Sequence, residues 1–123
     1  MTTEDLAGRK CQACTPGTPP LDEAAAAELA SRIDPGWTRD ANRAIRRELA
    51  FHNFRDAFGF ACRVALLAED EGHHPDFELG WGRLALTLTT HAAKGLTDND
   101  FILAAKVDRL AAGVGIKRST ASR

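Results

Sequence analysis

Apolar and polar positions along this chain change period several times, and each change marks an element. From Leu21, LDEAAAAELASRI reads as an Ala-rich helix, with Asp22 placed to cap it and Leu21, Leu29 and Ile33 as its larger apolar residues. Asp34-Pro35-Gly36 ends it. In AIRRELAF, Ile45, Leu49 and Phe51 share one parity and predict a strand, with Arg47 breaking the alternation and the preceding WTRDAN as a candidate hairpin partner. A long helix follows from Asn53 to Glu71, capped by Asn53, closed by Gly72 and carrying an apolar stripe of Phe54, Phe58, Ala61, Ala65 and Ala68. DFELGWGRLALTLTTH then predicts two strands, with Gly80 or Gly82 near the bend and Leu84, Leu86 and Leu88 on one face. Thr97, three residues before Asp100, opens a last helix through a capping box in which Asp replaces Glu; Phe101, Ala104, Val107 and Ala111 form its buried stripe and Gly113 stops it.

The order is therefore α-β-β-α-β-β-α, with no crossover long enough to force parallel strands. The expected fold class is α+β: a four-stranded antiparallel sheet with three helices packed on one face, the other face or the edges being left to solvent or another subunit. Pro16, Pro19 and Pro20 mark residues 1–20 as a flexible arm, so order is expected from Leu21. Residues 21–113 form the single domain, and residues 114–123 a frayed tail.

Composition narrows the choice of function. At 123 residues and 44% apolar content the chain suits one core, and sixteen basic against seventeen acidic residues encode no general attraction to nucleic acid or anionic membrane. No apolar run approaches a membrane span, and the N-terminal decapeptide lacks the blocks of a secretory signal, so a cytoplasmic protein is expected. Three cysteines agree with a reducing compartment.

Chemistry concentrates in one region. Three of the four histidines, His73, His74 and His91, fall within nineteen positions, with Glu69 upstream and Asp100 downstream. Imidazoles titrate near neutrality, so several in one pocket can donate and accept protons at physiological pH. His91 has the opposite parity to the leucines, which turns it away from them if the strand stays regular that far. Zinc is an alternative, since His73, His74, His91 and Glu69 are all possible ligands, but adjacent histidines on extended chain diverge and the spacing departs from usual zinc sets. No metal and no cofactor are expected here. Cys11 and Cys14 form half of a zinc-ribbon pattern. The second pair is missing, and Cys62, in the core helix, is expected to be a buried thiol. Two arms meeting across an oligomer could still make a four-cysteine site. His52 is expected to be structural, Trp37 a core or interface aromatic, Asp98 a first-turn acid complementing the helix dipole, and the phenylalanines of the segment 57–60 core residues.

Glu69, three intervening residues, His73-His74-Pro75, then Trp81, His91 after nine more residues, and Asp100 at the start of the last helix together resemble the signature of the pterin-4a-carbinolamine dehydratases. The likeness runs from about Trp37 to Leu110, and extends more loosely to the Cys-x-x-Cys arm. The resemblance implies a hydro-lyase that dehydrates 4a-hydroxytetrahydropterin to quinonoid dihydropterin, with the pterin as substrate. It implies His73 and His91 as the proton-transfer pair and His74 as the residue orienting the ring, so that His73, His74 and His91 are the catalytic candidates. Glu69 would fix an imidazole tautomer and Asp100 would anchor His91. Trp81 would pack on the pterin or wall the pocket, with Pro75 and Phe77 also on the substrate side. Gly72 stands where Asp is often found and Phe77 where Trp is often found, which bears on substrate preference more than on chemistry. Further implications are a homodimer or homotetramer, a functional link to an aromatic amino acid hydroxylase, and no nucleic acid or membrane partner. The rival reading is a non-catalytic relative, such as a carboxylase assembly factor or a transcriptional coactivator.

Overall fold

The structure is a computed structural model that describes residues 3–114, with side chains from residue 5. In chain order it contains α1 (Thr3–Ala7), α2 (Glu23–Ala30), β1 (Trp37–Asp40), β2 (Ala44–Ala50), α3 (Phe54–Glu71), β3 (Asp76–Gly80), β4 (Arg83–Leu88), a 3-10 turn at His91–Ala93 and α4 (Asp98–Ala112). The strands form one antiparallel sheet in the order β1-β2-β4-β3. The expected α+β sheet is present, and a fourth helix precedes the three read from the sequence.

Register assigns the faces. Ile45 pairs with Leu88, Arg47 with Leu86 and Leu49 with Leu84, and directly paired residues project to the same side. All three leucines, Ile45 and Leu49 join a single core with Phe60 and Val64 of α3 and Phe101 and Leu103 of α4. Arg47 thus keeps the alternation instead of breaking it. Its guanidinium reaches Asp108 of α4 at 2.5 Å, where the Trp37 indole N–H (2.8 Å) and the Asp34 amide (2.9 Å) also donate. Burial pushes the Asp108 carboxyl above its ordinary pKa, outweighing these donors and the Arg47 charge. The opposite sheet face is ionic: Arg46 bonds Glu78 at 2.7 Å, and Glu48 lies 3.6 Å from both Arg46 and Arg83. Ala85, paired with Glu48 and Glu78, is fully covered there.

Three expectations need correction. The buried face of α3 is Ala57, Phe60, Ala61, Val64 and Ala68, whereas Phe54, Phe58 and Ala65 face outward. The inner face is built largely from small side chains, so the sheet leucines fill the interface; the large phenylalanines drew the sequence-based stripe to the wrong side. Cys62 is exposed for the same reason. Order also begins well before Leu21: α1 lies against α4, Leu6 is completely buried, and Cys11 reaches the core, so the segment expected as a flexible arm is packed. Burying one leucine contributes about 1.5–3 kcal/mol, enough to hold a short arm in place. Of the expected frayed tail, residues 115–123 lie outside the described residues. Trp37 is buried as expected, and Asp98 sits in the first turn of α4 facing Arg9 at 3.3 Å. No helix among the described residues is long and apolar enough to cross a membrane.

The β3–β4 turn has only Trp81 and Gly82 between the paired Gly80 and Arg83. Gly82 has φ +63°, and a Cβ there would stand 2.9 Å from the Phe51 carbonyl. Only glycine fits both demands.

Candidate active site

The site begins where α3 stops. Asn53 caps the helix by accepting from the Asp56 amide at 2.8 Å, and seventeen residues after Asn53 the chain is at Asp70, one short of the last helical residue. Gly72 then takes a left-handed φ of +67°, and the His73 amide donates back to the Ala68 carbonyl at 3.2 Å. This closure turns the doublet out of the helix. Glycine takes this left-handed φ without the strain most L side chains meet there.

His73 swings toward the start of α4, where its Nε2 lies 2.5 Å from Asp100 Oδ1. The second oxygen of Asp100 accepts from the Thr97 amide (3.0 Å) and from the Thr90 hydroxyl (2.8 Å). The Thr97 bond is half of the capping box read from the sequence. Asp100 is fully buried, so its acceptor capacity is spent on fixed partners and its position is rigid. With its proton directed from Nε2 to the carboxylate, the neutral His73 ring is left with Nδ1 as its free acceptor. The expectation that Asp100 anchors His91 is thus corrected: it anchors His73. Glu69 does hold an imidazole, that of His74, through a 2.9 Å contact on an exposed surface.

His91 arrives by a different route from the one its parity suggests. Strand β4 ends at Leu88, and His91 opens the 3-10 turn, held by a Thr90–Gly95 bridge. Its ring has no hydrogen bond among the described residues. His73, His74 and His91 nonetheless share one open cavity of about 230 Å³, lined also by Gly72, Thr89, Thr90, Ala92 and Asn99, and by Gln12, Ala13 and Cys14 of the arm.

The other candidates lie elsewhere. Trp81 stands at the hairpin tip, 74% exposed, Phe77 is on edge strand β3, and Pro75 is buried; none lines the cavity. His52 is exposed and also outside it. Sequence reasoning missed Thr90, which fixes the Asp100 carboxylate, and Asn99, which clamps the arm. The Cys-x-x-Cys spacing did single out the arm, as a metal motif. Cys11 is buried and its thiol is pushed up to about 12 by burial and by the nearby Glu71 carboxylate, while Cys14 lies against Asn99. Among the described residues no group of three or more His, Cys, Asp or Glu side chains is placed to hold a metal ion.

Comparison with known proteins gives a consistent result. The family model described as pterin 4 alpha carbinolamine dehydratase matches residues 19–110. A protein of Rubrobacter xylanophilus provisionally named a pterin-4-alpha-carbinolamine dehydratase is 46% identical over 106 residues, covering 86% of this chain and 98% of its own length. A similarly named protein of Methylococcus capsulatus is 44% identical over 113 residues, covering 91% of this chain and 98% of its own. A solved structure from Brucella melitensis, described as a transcriptional coactivator/pterin dehydratase, superposes with a TM-score of 0.69 at 36% identity and covers 75% of this chain and 98% of that one.

Proposed function

The chain belongs to the pterin 4 alpha carbinolamine dehydratase family, and from that premise we propose that it dehydrates 4a-hydroxytetrahydropterin by histidine acid/base catalysis, in support of pterin recycling beside an aromatic amino acid hydroxylase. The observation that carries this reading is the Asp100–His73 pair, buried at its carboxylate end and opening into the cavity that also holds His91. In the reaction the N5 proton leaves, the C4a–O bond breaks, an N5=C4a double bond forms, and the departing hydroxyl takes a proton to become water. One group must accept a proton and another must supply one. His73, with Nε2 engaged and Nδ1 available, and His91, with its ring unengaged, fill these roles, and each such group typically contributes about 10²–10⁴-fold. His74, tethered by Glu69, orients the ring.

A continuous assay of 4a-carbinolamine dehydration tests this: the purified chain accelerates the reaction over its spontaneous rate, and a variant carrying both His73→Ala and His91→Ala does not. Full activity in that double variant would overturn the assignment.

The outward stripe of α3, where Phe54 and Phe58 stack with centroids 6.2 Å apart and Leu66 is 69% exposed, bears on assembly and not on the chemistry. We propose that a second copy of the chain occupies this stripe. No acceleration of dehydration in the assay would put the rival reading, a non-catalytic binding relative, ahead of the enzyme.

A further inference from the structure

The proposed chemistry uses histidines from the end of α3 and from the turn after β4, but the cavity that holds them has one wall that neither element supplies. That wall is Gln12, Ala13 and Cys14 of the N-terminal arm. It precedes the residues matched by the family model, which begin at 19. We propose that this stretch of arm is part of the pterin-binding surface, latched over the histidines by Asn99; the inference rests on the dehydratase reading.

The latch is specific. Asn99 Nδ2 donates to the Gln12 carbonyl at 2.6 Å, and its Oδ1 accepts from the Gln12 amide at 2.9 Å, so one side chain satisfies both main-chain groups of a single residue. Asn99 is only 5% exposed. One residue earlier, the Cys11 amide donates to Glu71 Oε1 at 2.9 Å and the Cys11 side chain enters the core. The arm is therefore held at two successive residues against two different helices. Asn99 and Asp100 are neighbours in the first turn of α4, so a single turn holds both the arm wall and His73.

The latch also leaves useful chemistry free. Main-chain amide and carbonyl groups are obligatory hydrogen-bonding groups. Those of Gln12 are consumed by Asn99, whereas the main-chain groups of Ala13 have no partner among the described residues. The pyrimidinone half of a pterin carries an amino group, a ring N–H and a carbonyl along one edge, and a bound ligand needs such groups paired. The histidines suit the N5–C4a bond where the chemistry occurs, and the arm's free main chain suits the adjoining pyrimidinone edge, whose carbonyl carbon is bonded to C4a.

Cys14 provides a probe on the wall itself. The full-length chain is alkylated with iodoacetamide with and without 7,8-dihydropterin, modification at each cysteine is followed by peptide mass spectrometry, and the His73 ring resonances report pterin occupancy. Dihydropterin at about ten times its dissociation constant slows alkylation of Cys14 about tenfold by mass action, while exposed Cys62 reacts at an unchanged rate. In Asn99→Ala the protection of Cys14 disappears although His73 still responds, KM rises about tenfold or more, and Asn99→Asp, which keeps the acceptor for the Gln12 amide, lies between. Unaltered Cys14 alkylation in the native chain while His73 responds overturns this inference alone. Silence at both residues overturns it together with the dehydratase reading.

Discussion

Asp100 has three jobs at one buried carboxylate: it caps α4 through the Thr97 amide, receives the Thr90 hydroxyl, and orients His73. Asp100→Asn separates these. The amide oxygen can still accept from Thr97 and Thr90, but its NH₂ group then faces His73 and demands the opposite tautomer. The dehydration rate is expected to fall about 10²–10⁴-fold with little loss of thermal stability, as read by the continuous assay and by thermal unfolding. Asp100→Ala adds unpaired buried donors and costs about 1–3 kcal/mol of stability as well. A wild-type rate in Asp100→Asn would mean that the pair takes no part in proton transfer. The cap was legible in the sequence because Thr97 and Asp100 are three residues apart and a capping box is local. Which imidazole Asp100 holds was not, because His73 is 27 residues away and its approach depends on how α3 and α4 pack. Parity only turned His91 away from the leucine face, and it was the resemblance that assigned His91 to Asp100. The early end of β4 at Leu88 removed the basis for the parity reading.

Periodicity and capping located three strands and the three longer helices, and β1 was read only as a candidate hairpin partner. Periodicity failed where one element carries apolar residues on two faces. In α3, Phe60 and Val64 point inward with three alanines, while Phe54, Phe58 and Leu66 point outward, and residue size alone cannot choose between the two stripes. Gly59 lies on this helix with open space where a Cβ would be. Gly59→Ala is therefore expected to stabilise the helix by about 0.5–1 kcal/mol, raising the melting temperature by about 2–4 °C; a fall would show that something else occupies that space. The arm was misread for a related reason: its prolines are real helix breakers, but Leu6 and Cys11 reach the core, and Glu71 secures the arm from the end of α3. Burial pulls the Glu71 carboxyl upward, but the Cys11 amide and the ammonium groups of Lys106 and Lys10 outweigh it and hold the group below its ordinary pKa of 4.5. A depressed native pKa means that the stabilisation is fully present above the unfolded value and is lost as pH falls through the native one. As pH falls below about 4.5, arm docking weakens, seen as a falling hydrogen-exchange protection factor at the Cys11 amide relative to its intrinsic rate at each pH, and Glu71→Gln removes that fall.

At the scale of the whole molecule, the exposed apolar surface is unevenly placed. The solvent side of the sheet is covered by the Arg46, Glu48, Glu78 and Arg83 charges, so it is poorly suited to an apolar interface. Large exposed apolar side chains lie instead along the outer face of α3, at Phe54, Phe58 and Leu66, and on the β3 hairpin, at Phe77, Leu79 and Trp81. A helix stripe is self-complementary across a two-fold axis, because each phenylalanine of one copy can meet the same stripe of the other. If a second copy covers α3, sedimentation velocity at micromolar concentration gives a species of at least twice the 13.3 kDa chain mass. Phe58→Glu, at a side chain already half exposed, shifts that species to monomer without unfolding the chain. A native monomer, or a Phe58→Glu protein that still self-associates, would exclude this face. The histidine cavity is built from the end of α3, the turn after β4 and the arm, not from the α3 stripe. The monomeric variant is therefore also expected to keep its dehydration rate, which separates assembly from chemistry in a single protein.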